Sequence, residues 1–177
     1  MALRDLHLFG SPVLRQRSAE VAEVGEETRR LVDDLFETMD AARGIGLAAN
    51  QVGLATRVAV VAVEGERLAM VNPVIVSAEG SDRAEEGCLS IPDLYAEVTR
   101  PARIVLEAMG RDGVPYRLEA EGLLARAIQH EIDHLDGILF LDHLSALKRQ
   151  LLLSRYKREH RGEGITKSVR PEPVPPE

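Results

Sequence analysis

Tryptophan is absent from this chain of 177 residues, and three Tyr and three Phe complete its aromatic complement. The core must therefore be built from Leu, Val, Ile and Ala. Cysteine occurs once, at Cys88, which excludes an intramolecular disulfide and fits a reducing, cytoplasmic setting. No run approaches the roughly 18 apolar residues of a membrane span. The first twenty residues carry Arg4, Asp5, Arg15, Arg17 and Glu20, and so lack the apolar centre of a signal peptide. Positive charge is also short, with 22 Lys and Arg against 29 Asp and Glu and a net charge of −7. That balance argues against a broad nucleic-acid surface, so neither DNA nor a membrane is an expected partner. What remains is 45% hydrophobic and 29% charged, an ordinary composition for one domain with a sizeable core.

Along the chain, Glu26 to Ala42 reads as a helix, because Leu31, Leu35 and Met39 recur four residues apart and two acids fill its first turn. Gly44 to Gln51, GIGLAANQ, follows as an apolar loop. Arg57 to Val63 and Leu68 to Val76 read as strands, with Pro73 suggesting an edge or a bend. Ser81 to Leu94 looks loop-like and contains EEGCLS. Arg103 to Met109 and Val114 to Ala120 flank the hairpin turn Arg111-Asp112-Gly113. Leu123 to Leu135 reads as an apolar helix ended by Asp136-Gly137. Ser145 caps a last helix to about Glu159, with Leu147 and Leu151 expected inward. PEPVPPE at the end reads as an unstructured tail. These elements give an α+β fold: one domain over residues 1–160 and a tail over 161–177.

The sharpest chemical signal is Gln129-His130-Glu131-Ile132-Asp133-His134, an HExxH motif on the expected helix. Positions four apart share a helix face, so both imidazoles can reach one cation at about 2 Å. Glu131 sits beside the first ligand, placed to act as general base without binding the metal. Two unrelated histidines on an amphipathic helix is the plainer alternative, but it leaves charged groups in an apolar helix uncompensated. A catalytic metal needs a third ligand. The metallopeptidase pattern would put His at position 140, where this chain has Phe140. Glu159 lies on a basic helix, and Cys88 offers a thiolate, a strong ligand for borderline divalent metals, with Gly87 allowing close backbone approach.

GIGLAANQ, EGCLS and QHEIDH, in this order and spacing, resemble the motifs of the peptide deformylases, and the likeness covers roughly Met1 to Leu144. The resemblance implies an α+β domain whose antiparallel or mixed sheets surround a central HExxH helix, with further helices near each end. It also implies a metal-dependent hydrolase that removes the formyl group from the N-terminal formyl-methionine of nascent chains. The implied metal ligands are Cys88, His130 and His134, and the implied acid-base is Glu131. Gln51 and the backbone N–H of Leu89 would bind the formyl oxygen. Gly44, Ile45, Gly46, Gly87 and Leu123 would contact substrate, while Arg126 and Tyr95 fall at positions that vary at the pocket rim. Family practice implies ferrous iron, with zinc, nickel or cobalt able to take its place.

Two rivals remain at this level. A metallopeptidase would share HExxH but leave EGCLS without a role. A structural Cys-His-His module would need a fourth ligand and leave Glu131 idle. Apart from the site, Lys148, Arg149, Arg155, Lys157, Arg158 and Arg161 make the last helix basic. Either this is a solvated face or it docks on the phosphate-rich ribosome, where nascent chains emerge.

Overall fold

The computed structural model describes residues 2–171. Three α-helices and nine strands follow in the order β1 (Leu6–His7), α1 (Glu26–Ala41), β2 (Gly46–Ala48), β3 (Val58–Val63), β4 (Glu66–Glu79), β5 (Asp82–Cys88), β6 (Ile91–Arg100), β7 (Arg103–Met109), β8 (Pro115–Glu121), α2 (Gly122–Leu135), α3 (Ala146–Glu159) and β9 (Thr166–Lys167). The main sheet has the order β2-β3-β4-β7-β8 and is antiparallel throughout. Two smaller antiparallel ribbons pair β5 with β6 and β1 with β9. This is the expected α+β architecture.

The run VAVVAV of β3 lacks polar alternation because both its faces are covered. Ala59, Val61 and Val63 join the apolar cluster that contains Ile128, Ile132 and Leu135 of α2. Val58 and Val60 join the other cluster, with Leu31, Val32, Leu35 and Met39 of α1. The sheet is thus held between α1 and the HExxH helix, and α2 packs on β2, β3, β7 and β8.

Several expectations are corrected. Of the edge or bend expected at Pro73, the edge is corrected and the irregularity stands: β4 lies between β3 and β7, and Pro73 falls where the β4–β7 register shifts, between Val71 and Val74, just past the last β3 partner, Val71↔Val58. A missing N–H is tolerated at such a bulge. Ser81 to Leu94 is not loop but the β5–β6 hairpin, whose ladder ends at Cys88↔Ile91. Its hydrophobic alternation is hidden on β5 by Asp82, Arg83, Glu85 and Glu86. On α3, capped by Ser145 as expected, Leu147 and Leu151 face solvent at 68% and 63% exposure. The inward face is instead Leu152, Leu153 and Tyr156, packed with Phe9, Leu139 and Phe140. Finally, the chain beyond residue 160 is not structureless throughout, since β9 pairs with β1 as Leu6↔Lys167 and His7↔Thr166. Residues 172–177, most of the proline-rich end, lie outside the described residues.

Candidate metal centre

Helix α2 puts His130 and His134 one turn apart, with ring centroids 4.9 Å apart and their Nε2 atoms separated by 3.2 Å. The turn of the β5–β6 hairpin delivers Cys88, whose Sγ lies 3.3 Å from His134 Nε2. One donor atom from each of Cys88, His130 and His134 falls within a 4.8 Å span. Phe140, where a peptidase would carry a third His, is buried and stacks on the His130 ring at 6.2 Å.

A neighbouring carboxylate orients His130, whereas His134 Nδ1 has no hydrogen-bond partner among the described residues. His130 Nδ1 lies 3.0 Å from Glu86 Oε1, and an ionised carboxylate only accepts, so Nδ1 carries the proton and Nε2 is free to ligate. Glu86 is buried and gripped by Arg100 at 2.6 and 2.9 Å and by Arg126 at 2.5 Å. Burial opposes its charge, but the hydrogen bonds to His130 and Arg100 win and bring its pKa down to about 2. Arg100 also reaches Asp133 at 2.8 Å, and Asp133 contacts His143 at 2.7 Å. Arg126 is therefore not a rim residue: it is 5% exposed and also donates to the carbonyls of Val98 and Asp82. The end of α2 is tied down by Asn50, which donates to the His134 carbonyl, and by Arg57, which donates to that of Leu135. Burial pushes the His134 pKa well down, toward the neutral form that a ligand needs.

Gln51 sits in a one-turn 3-10 helix, Ala49–Val52. Its carbonyl accepts from Ala48 N–H at 2.9 Å, which fixes the amide so that Nε2 faces Cys88 Sγ at 3.7 Å and Ser90 Oγ at 3.1 Å. Glu131 is 3% exposed, and its Oε2 has no partner among the described residues. Burial raises its pKa to about 7, the range of a general acid-base at neutral pH. Gly46 explains how this carboxylate fits: a Cβ there would stand 2.9 Å from the Glu131 Cγ and Cδ. Gly87 likewise makes room for the Tyr95 ring, which a Cβ would approach to 2.6 Å.

A cleft of about 610 Å³ opens over this group. It is lined by Gly44, Ile45, Gly46, Gln51, Gly87, Cys88, Leu89, Leu123, His130 and Glu131, so it gathers every anticipated site residue except His134, which lies beneath at 1% exposure. Ile45, Leu123 and Tyr95 are the exposed apolar groups around it.

The family profile described as polypeptide deformylase matches residues 3–150. The chain belongs to the peptide deformylase family. A peptide deformylase of Chromohalobacter salexigens is 52% identical over 166 residues, covering 91% of this chain and 97% of its relative. That of Alkalilimnicola ehrlichii is 49% identical over 162 residues, covering 89% and 91%. Among solved structures, the peptide deformylase of Ehrlichia chaffeensis in complex with actinonin superposes with a TM-score of 0.86 at 37% identity, covering 91% of this chain and 99% of that one. The Legionella pneumophila deformylase gives 0.84 at 40% identity, covering 92% and 100%. As a deformylase, the chain is a hydrolase that removes the N-formyl group from N-terminal formyl-methionine of nascent polypeptides. The family is metal-dependent, and the donor set here suits a divalent cation: a thiol and two imidazoles converge, one imidazole has its tautomer set by Glu86, and a buried carboxylate oxygen stands unpartnered beside them.

Sequence reasoning missed Glu86 as the group that orients His130, Arg100 and Arg126 as its counter-charges, and Ser90 as the partner of Gln51. Glu86 and Ser90 flank Cys88 inside the EGCLS motif, so their neighbourhood was visible. Nothing local points to Arg100, which is fourteen residues from its partner along the chain.

Proposed function

We propose that Cys88, His130 and His134 hold one divalent metal ion, natively ferrous iron with zinc, nickel or cobalt as substitutes, and that Glu131 is the acid-base of deformylation. The observation that carries this reading is the convergence of the three donor atoms within 4.8 Å beside the unpartnered Glu131 carboxylate. When bound, the cation supplies an acidified water and polarises the formyl carbonyl. Glu131 takes a proton from the attacking water and returns it to the departing methionine nitrogen, so the C–N bond breaks as formate and a free amine leave. Gln51 Nε2, aimed by the Ala48 bond to its other end, donates to the developing oxyanion together with the Leu89 N–H. Ile45 and Leu123 offer the methionine side chain an apolar border, while Gly44, Gly46 and Gly87 line the cleft where the peptide backbone would pass.

Finer readings follow from the substrate. Nascent chains place the enzyme in the cytoplasm, and among the described residues no helix is long and apolar enough to cross a membrane. The exposed cations of α3 and the turn after it, Lys148, Arg155, Lys157, Arg158 and Arg161, would dock on ribosomal phosphate.

The deciding experiment compares the parent and Glu131→Gln after anaerobic purification, reading metal content and formate release from a formyl-methionyl peptide. The variant should keep its metal and lose about 10²–10⁴-fold in turnover. Near-parent turnover would remove Glu131 from its role, and loss of metal along with turnover would make it a ligand. Iron-loaded parent should decay in air faster than nickel-loaded parent, through oxidation of the metal or of Cys88.

A further inference from the structure

The C-terminal segment is part of the substrate cleft. After α3 the chain turns back, and Leu8 N–H donates to the Ile165 carbonyl at 2.7 Å. β9 then pairs with β1, and Val169 packs against the cluster of Leu6, Leu8, Leu31 and Leu35. Thus anchored, Lys167, Ser168, Val169 and Arg170 line the same cleft as Cys88, His130 and Glu131. None of them was a site candidate from sequence, and the family match ends at residue 150, before this segment begins.

Charge makes the placement informative. Lys167 and Arg170 are exposed, and neither has an ion-pair partner among the described residues. Acids at the cleft, Glu85 and Asp93, come from the β5–β6 hairpin, and Asp93 lies 3.7 Å from His160. A formylated peptide enters with its formyl end at the buried donor group, so its later residues must leave past the exposed part of the lining. The two unpaired cations stand there, in a protein whose net charge of −7 otherwise repels acidic peptides.

We propose that Lys167 and Arg170 select peptides with carboxylate side chains in the residues that follow formyl-methionine. The proposal rests on the deformylase assignment. Each exposed charge pair contributes roughly two- to threefold in affinity, so two together give a preference of roughly four- to tenfold. The effect belongs in KM, because these side chains lie at the cleft and not among the reacting groups. It should also shrink with salt, as exposed pairs do.

The test uses the full metal-loaded chain and three C-terminally amidated peptides: formyl-Met-Ala-Ala-Ala, formyl-Met-Ala-Asp-Asp and formyl-Met-Ala-Lys-Lys. Formate release gives kcat/KM for each. At low salt the parent should prefer the Asp peptide over the Ala peptide by roughly four- to tenfold, with the Lys peptide poorest. In about 0.5 M salt the ratio should approach one. The double variant Lys167→Glu/Arg170→Glu should lose or invert the Asp-to-Ala ratio. Pairing of β9 uses backbone groups, so Lys167→Gln/Arg170→Gln serves if the reversed chain does not fold. A parent with no Asp preference at low salt overturns the proposal without any variant. An undiminished Asp preference in a folded variant overturns it too. Failure to release formate from any of the peptides would instead count against the deformylase reading.

Discussion

Glu86 Oε1 lies 3.0 Å from His130 Nδ1, so one carboxylate both sets the tautomer of a metal ligand and accepts from two buried arginines. Glu86→Gln should weaken metal affinity about 10–100-fold, as loss of such a ligand-orienting partner typically does. Competition with a chelator measures it; unchanged affinity would mean that the helix alone orients His130.

The same residue sets an acid limit on stability. Its pKa falls from 4.5 to about 2 on folding, so its contribution is complete above about pH 5 and is lost as pH drops toward 2. Urea unfolding of the parent and Glu86→Gln should therefore differ most near neutrality and converge toward pH 2. A stability gap that stays constant from pH 7 to pH 2 would contradict the buried ion pairing. Near neutrality the gap should be several kcal/mol, because Arg100 and Arg126 lose a fully buried charged partner and keep only the more exposed Asp133 and Asp82.

Gly46 and Glu131 make a second steric test. The 2.9 Å approach means that Gly46→Ala must displace the Glu131 side chain. Misplacing an acid-base by about 1 Å can cost roughly 10²-fold. We expect turnover to fall about 10- to 100-fold with metal content intact, measured by metal analysis beside formate release. Full activity in Gly46→Ala would show that Glu131 need not lie where it does.

On acidification, the parent should lose kcat/KM as Glu131 takes up a proton. Burial lifts that pKa to about 7, and a bound cation lowers it, so the acid limb should lie at or below pH 7. A rate profile from pH 5 to 8 reads it. An acid limb above pH 8 would belong to another group.

Helix α3 separates packing from charge. Leu147→Lys and Leu151→Lys should each shift stability by no more than about 0.5 kcal/mol, because both side chains are solvent-facing. Tyr156→Ala, which removes the ring packed edge-on to Phe9 at 5.8 Å, should cost about 3 kcal/mol. Thermal or urea unfolding distinguishes them, and equal costs would contradict the observed face.

Reversing Arg155, Lys157, Arg158 and Arg161 to Glu should leave hydrolysis of a short formylated peptide largely in place while reducing co-sedimentation with ribosomes at low salt. Arg155 is paired with Glu159 at 2.9 Å, so part of that charge is already spoken for. Undiminished ribosome binding by the reversed chain would reduce the cations to a solvated face.

What the sequence alone determined was local. Periodicity fixes α1 and α2 within a residue or so, because a helix repeats every 3.6 residues and its apolar face is written at that spacing. The same geometry commits His130 and His134 to one face, and Asp and Gly commit residues 111–113 to a turn. The tertiary structure decided whatever depends on partners distant in the chain. β5 could not be recognised from its four charges, since two of them, Asp82 and Glu86, are satisfied by Arg126 from α2 and Arg100 from β6. The inward face of α3 could not be chosen from its weak amphipathicity, and burial of Tyr156 against Phe9 made the choice. Nor could the sequence place Lys167 and Arg170 at the catalytic cleft. That follows from backbone pairing of β9 with β1, a contact across some 160 residues whose hydrogen bonds carry no side-chain signature.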